Sequence, residues 1–494
     1  MKKSKVIATG LGVAAATGTA VSMVRAATTY KAKPVSDGQK PDAEKVDVDR
    51  YIKHLSQAIQ IPTIANRDES LVDWSKFDEF HSFLESAYPL IHENLEKEIV
   101  STRSLIFHWR SEHPEREPIC LLSHQDVVPV TPGTEDDWKY PAFSGQVAEG
   151  FVWGRGAIDM KNHLIGIMEA VETLLEEGFV PERDVYLCFG HNEEVMAEGD
   201  DCGATCIMKW FKERGIRLDS VIDEGGAILE AKVDKVIDGH LAGVGIAEKG
   251  HVDFEISVNA KGGHSSQPPK HSALGELSKI VCNLEKHQFE AEITDQLYSL
   301  FNEIGKNTTY PVRCVMSNLP VLKPLLKTIC KNIPPVASMM RTTTAVTMAN
   351  GSPAPNVLPQ KASVIANFRI MPGQTMDDVE AHIRKYAGPK AEVKFIGGCN
   401  PSKISPTDSR AFDAISRICK SMDPKAIVAP YLVMGGTDAR QYEEVCDNIY
   451  RYSPYLMTTQ LLLTTHGTNE RIPVDALEDG VAFFKRYIRM LTKD

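Results

Sequence analysis

With 494 residues the chain is too long for one hydrophobic core, and 43% hydrophobic against 24% charged residues is the balance of a packed globular protein. Lys and Arg number 55 against 66 Asp and Glu, and the net charge of -11 repels a phosphate backbone, with no basic patch standing out to offset it. Nucleic acid is thereby excluded as the expected partner, and an enzyme-sized protein of two domains is the starting expectation.

In chain order, "MKKSK" is a basic run, residues 6–24 are uncharged and rich in Ala, Gly and Thr, and "RAATTYKAKP" follows. This reads as an export signal cleaved near Ala26 or as a membrane anchor. The catalytic part is then expected outside the cytoplasm, exported, secreted or membrane-anchored, and meets a membrane only through this segment. Residues 1–45 comprise it and a polar linker containing Pro and Gly.

Residues 46–250 form the first part of a catalytic domain. Apolar residues at helical spacing occupy 48–61, 164–177 and 205–214, and short apolar runs at 119–123, 185–190 and 220–223 read as buried strands. Such alternation specifies an α/β fold: a mostly parallel sheet with helices on both faces. The pattern changes near Gly250. "HVDFEISVNA" alternates strictly, "HSALGELSKIVCNLEKH" is helical, "TTTAVTMANG" and "KASVIANFRIM" are strands, "MDDVEAHIRKYA" is a helix and "AEVKFI" a last strand. That order is a ferredoxin-like α+β unit, so 251–397 is expected to be a lid domain inserted into the first, itself interrupted by a helical insertion near 289–340. Alternation resumes over 398–494, the second part of the catalytic domain.

The ten cysteines do not form a disulfide or zinc pattern. Cys120 and Cys188 lie inside apolar strands, and Cys202 and Cys206 sit one helical turn apart with no second pair.

Reactive groups in open parallel sheets collect where strands end. His124 and Asp126 follow the first strand, two residues apart and so on one side of the pleat; Glu193 and Glu194 follow another, and Asp223 a third. Between them, Gly154 and Gly156 allow a tight path before Asp159 and a helix. Any one of these alone is a cap, a solvated acid or a core histidine. Together they repel one another at one sheet edge unless a cation neutralises them. Imidazole with carboxylates suits zinc, and more acids than one ion needs fit a pair of metals sharing a carboxylate. A carboxylate near a ligating imidazole orients the ring, which gives Asp126 a role without metal contact.

"SHQDVVPV", "WGRGAIDMK", "GHNEEV", "DEGG", "GGHSSQP", "NVLP", "NFRIMPG", "GGTDAR" and "THGTNERIP" occur in an order and spacing that resemble the co-catalytic dizinc metallopeptidases. That family includes carboxypeptidase S, peptidase V, aminoacylase and glutamate carboxypeptidase. "RTTTAVTM", "NFRIMPG" and the lid insertion are most similar to the carboxypeptidase S and N-fatty-acyl-amino-acid hydrolase/synthase branch. The resemblance implies a zinc-exopeptidase-type sheet and two zinc ions per chain, with cobalt or manganese as substitutes. By its motifs, His124, Asp159 and Asp223 hold one ion, and Asp159, Glu194 and His466 the other. Asp159 bridges. Glu193 is the implied general base, carrying a proton from water to the leaving amine, with Asp126 as its catalytic partner through His124.

The same resemblance implies that Arg369 grips a free carboxylate, that His264 stabilises the tetrahedral oxyanion, and that Asn356 with Gly435 and Gly436 completes the pocket. In family members whose histidine of this kind serves a second subunit, the lids pair, so a homodimer through the lid is one arrangement left open. The expected activity is cleavage of an amide beside a free carboxylate, in a small or N-blocked peptide. The first alternative is an N-acyl or fatty-acyl amino acid amidohydrolase/synthase. A binding protein without activity on the same fold is a third reading, against which stands the presence of every ligand and the base.

Overall fold

A computed structural model describes residues 22–32, 44–195, 199 and 202–493. Most of the stretch expected to be signal or anchor lies outside these residues. No described helix is long and apolar enough to cross a membrane.

A ten-stranded sheet forms the centre of the molecule. Strand Ile119–His124 lies between Val185–Gly190 and Ser220–Asp223 and runs parallel to both. All six of its residues are buried. Side-chain alternation divides them between two cores: Ile119 and Leu121 join one, Cys120 and Leu122 the other. Helices Val48–Ile59, Lys161–Glu176, Arg410–Met422 and Asp475–Thr492 cover the first face. Helix Gly203–Glu213 and the 3-10 turn Asp438–Glu444 cover the second. A strand buried on both faces is apolar throughout, which is why these runs stand out in the sequence.

Parallel pairing holds at the sheet's centre and recurs where Ala426–Val433 joins Ile237–Glu248 and Leu456–Met457 joins Ile228–Val233. Glu96–Val100 and Ser104–Trp109 add an antiparallel edge, and Ile228–Val233 pairs antiparallel with Ile237–Glu248 toward the other side. Glu96–Val100 and Ile228–Val233 are partly or fully exposed, so their sequence carries a weaker signal, whereas Ser104–Trp109 is buried throughout. All ten cysteines are free thiols.

A second sheet of four antiparallel strands follows Gly250. Its order is Thr343–Asn350, Lys361–Ile370, Gly250–Asn259, Ala391–Cys399, with helices Ala273–Lys286 and Met376–Ala387 packed on one face. Between the first helix and Thr343 come helices Asp295–Lys306, Tyr310–Met316, Leu319–Cys330 and Pro334–Ser338. They close over the central sheet through Leu297, Leu300, Cys330 and Met340, which meet Ala429.

Candidate active site

The three central parallel strands end together, so His124, Gly190 and Asp223 reach one edge of the sheet. Gly190 leaves room there: a Cβ on it would stand 2.2 Å from Asp438 Oδ2. After Gly190 the chain turns through Glu193 and Glu194, and both their amides donate to the buried Asp126 carboxylate, at 3.2 and 3.1 Å. Asp126 also stands 3.3 Å from His124 Nδ1. The hydrogen bond of His124 Nδ1 goes to the Asp126 carbonyl at 3.0 Å, so Asp126 meets the imidazole ring through backbone and carboxylate while its carboxylate holds the acidic turn.

With Nδ1 so engaged, His124 Nε2 faces Asp159 Oδ1 at 3.2 Å. The other Asp159 oxygen, Oδ2, lies 3.0 Å from His466 Nε2, which is also 3.0 Å from Glu194 Oε2. Asp159 therefore gives one oxygen to each imidazole. Its loop is held by Glu470, a fully buried acid that accepts the amides of Gly156, Ile158 and Asp159 and pairs with Arg155 Nη1 at 2.5 Å. Gly156 takes the left-handed φ of 90° that the tight path needs.

Two sets of donor atoms cluster within 4.8 Å: His124 with Asp159 and Glu194, and His124 with Glu193 and Glu224. Asp223, expected beside His124, is in neither set. Its carboxylate accepts the amides of Glu224 and Ala439, each at 2.8 Å, and Glu224 Oε1 is the atom 3.3 Å from His124 Nε2. The strand ends at Asp223, so adjacent residues point apart, and it is the second acid that faces the cluster.

The acids repel one another. Burial and then Glu224 push the Glu193 carboxyl well above its ordinary value; burial and then Asp159 raise Glu224 to about 8. Burial and then Asp223 raise Asp438. Hydrogen bonds to Asp159 and Glu194 raise His466 to about 10, and for His124 the surrounding acids outweigh a burial that acts in the opposite direction. Glu194 Oε1 is buried with no hydrogen-bond partner. Excess carboxylate, an orphaned buried oxygen and two imidazoles aimed at one shared acid fit divalent zinc.

None of the expected substrate residues belongs to either donor set. His264 is exposed, bonds Ser266 Oγ through Nδ1 at 2.8 Å, and lines a cleft of about 510 Å³ with Asn356. Arg369 makes no hydrogen bond or ion pair among the described residues; its register partners are His251 and Thr343. It acts electrostatically on Lys249 and His251, and Arg440 acts on His251 too. Gly436 lies beside Arg440, whereas Gly435 has open space around it. Arg369 and Arg440 thus bring positive charge from the two sheets to one junction.

Glu224, Asp438 and Glu470 were not singled out in the sequence. For Glu224 a signal existed, since the reasoning that separates Glu193 from Glu194 applies equally to the Asp223–Glu224 pair at its strand end. Asp438 and Glu470 lie inside the "GGTDAR" and "THGTNERIP" stretches, but nothing local gives either a role, because only the folded chain brings them to residues far away in sequence.

Carboxylates and imidazoles gathered at the carboxyl edge of a helix-covered sheet define a metal-dependent hydrolase. The chain belongs to peptidase family M20/M25/M40, whose profile matches residues 120–490. It is 32% identical to a probable carboxypeptidase S-like 2 of Dictyostelium discoideum over 89% of this chain and 85% of that one. It is also 32% identical to an N-fatty-acyl-amino acid synthase/hydrolase of Bos taurus, over 88% and 86% of the two chains. Among solved structures, an M20 family metallo-carboxypeptidase from Sulfolobus solfataricus shares the fold with a TM-score of 0.64 at 17% identity, covering 90% of this chain and 99% of its own. The protein is a zinc-dependent hydrolase of this family.

Proposed function

We propose that the protein hydrolyses an amide bond beside a free carboxylate, in a small or N-blocked peptide or an N-acyl amino acid. The observation that carries this reading is the sharing of Asp159 between the two imidazoles, one oxygen to each. Two zinc ions are held, one by His124, Asp159 and an acid of the Asp223–Glu224 pair, the other by Asp159, Glu194 and His466. Bound zinc supplies Lewis acidity at the scissile carbonyl and brings the ionisation of water toward neutral pH.

Glu193 stands beside His124 and Glu224 and is free of the amide bonds that occupy Asp126 and Asp223. A Glu193 Oε takes the proton of the attacking water and delivers it to the leaving nitrogen. Arg369, with no partner of its own, receives the substrate carboxylate through its planar fork. The second sheet acts as the lid that carries Arg369, His264 and Asn356. His264 in its exposed cleft serves the oxyanion after the lid closes or across a homodimer, with Gly435 and Gly436 lining the pocket. The division at about residues 250 and 398 follows from this role.

The likeness at 32% identity to both a carboxypeptidase S-like protein and the Bos taurus synthase/hydrolase supports the peptide and N-acyl amino acid readings alike. The protein acts outside the cytoplasm, with the uncharged stretch of residues 6–24 as its export signal or membrane anchor. The test is turnover by the purified zinc-loaded protein of dipeptides, blocked dipeptides and N-acyl amino acids, each with its carboxylate free or amidated. Release from the free acids alone is the expected result. Equal turnover of both forms, or full activity after chelation, sinks the reading.

A further inference from the structure

We propose that the outer face of the Leu319–Cys330 helix and its flanks is a docking surface for an anionic lipid membrane. Val321, Leu325 and Ile329 recur every fourth residue along this helix and are 79%, 58% and 51% exposed. Val315 before it and Ile333 after it extend the row and are also exposed. Scattered exposed apolar residues are ordinary, whereas an unbroken row on one segment is a surface that water disfavours.

Charge selects the occupant. From residue 310 to residue 341 there is no Asp or Glu, but there are Arg313, Lys323, Lys327, Lys331 and Arg341, in a chain whose net charge is -11. Among the described residues only Lys327 pairs with an outside acid, Glu290, at 3.1 Å. Lys323, Lys327 and Lys331 recur every fourth residue along the same helix and its C-cap, on a different flank from the apolar row. An apolar row with basic neighbours and no acids matches the acyl boundary and headgroups of an anionic leaflet. A second copy fits poorly, because a twofold contact would set the same cations against one another.

Position gives a second, independent argument. Residues 22–32 lie on these same helices: Asn318 Nδ2 donates to Ser22 Oγ at 2.5 Å, and Tyr310 Oη donates to the Met23 carbonyl at 3.2 Å. Farther along, the Ala32 amide donates to the Lys306 carbonyl at 3.3 Å. Asn318 is the residue that starts the Leu319–Cys330 helix. Residues 22–24, the described end of the uncharged stretch, therefore lie against the start of the helix that carries the apolar row. The surface lies on the membrane and does not span it.

Hydrogen exchange on the full chain tests the proposal independently of the hydrolase reading, because it follows a helix and not turnover. Vesicles of phosphatidylcholine with phosphatidylserine should slow exchange across Leu319–Cys330 by at least about threefold, and vesicles of phosphatidylcholine alone should slow it less. Strand Ile119–His124 should be unaffected. The pair Val321→Asp and Leu325→Asp should abolish the slowing. The pair Lys323→Glu and Lys331→Glu, at exposed positions that no core depends on, should remove the preference for phosphatidylserine. Exchange that is unchanged by anionic vesicles overturns the proposal even where the N-terminal stretch binds them. Protection that appears without lipid and grows with protein concentration overturns it in favour of a second copy, and protection by an added protein but by no vesicle overturns it in favour of a protein partner.

Discussion

At the carboxyl edge of the central sheet, each functional side chain has its place set by a buried neighbour: Asp126 holds His124 and the acidic turn, and Glu470 holds the Asp159 loop. Among the described residues the Arg369 side chain on the second sheet has no partner, and in the small two-stranded sheet that pairs His264 with Val357 the His264 imidazole bonds only the nearby Ser266. The first region pays for bringing like charges together by surrounding them with fixed hydrogen bonds. The second keeps its groups available, which suits residues that meet a substrate rather than a resident ion. Substitutions should consequently have large, metal-linked effects in the first region and smaller effects confined to substrate affinity in the second.

The sharpest difference is expected between Glu193 and Glu194. Glu193→Gln keeps size but removes the proton acceptor, and should lower turnover at least about a hundredfold with metal content near two. Glu194→Gln should lose one metal and regain part of its activity in excess zinc, as seen by metal analysis beside kinetics. Equal metal content and equal rates in the two variants would contradict the assignment.

The next comparison lies within one dipeptide. Glu224→Gln should weaken metal binding, whereas Asp223→Asn should chiefly destabilise the fold, by about 1–3 kcal/mol, because buried amides lose their charged acceptor. Thermal unfolding and metal titration of both variants decide which acid is the ligand. A metal loss in Asp223→Asn with Glu224→Gln unaffected would return the role to Asp223.

For the second sheet, Arg369→Ala should raise KM about tenfold or more for substrates with a free carboxylate, while metal content stays unchanged. A fall in metal content would show that the two regions are not separate.

The smallest effect concerns stability and pH. Burial and then Arg369 lower the Lys249 ammonium to about 7, and its Nζ donates to the Ser338 and Arg341 carbonyls. Between about pH 7 and the ordinary lysine value the unfolded chain binds the extra proton, so this residue's contribution to stability rises with pH across that window. Lys249→Met should remove that rise. Unfolding midpoints of both proteins followed from about pH 7 to about 9.5 measure it, and parallel curves would count against the assignment.

Much of this protein follows from its sequence by local rules. A strand buried on two faces must be apolar, and a strand end must redirect its last side chains, so Ile119–His124 and the acids at neighbouring strand ends were legible, as was the strand and helix order after Gly250. The same rule, carried one residue further, reaches Glu224. His466 needed the motif resemblance, since its turn is an exposed one with a left-handed φ of 60° and nothing local marks it. What only the tertiary structure decided are the long-range placements: Asp438 against Gly190, Glu470 under the Asp159 loop, and residues 22–23 against Tyr310 and Asn318. Pleat and helix periods act over a few residues and are written into the chain, but these contacts join positions separated by tens or hundreds of residues, and packing of the two sheets and the insertion is what brings them together.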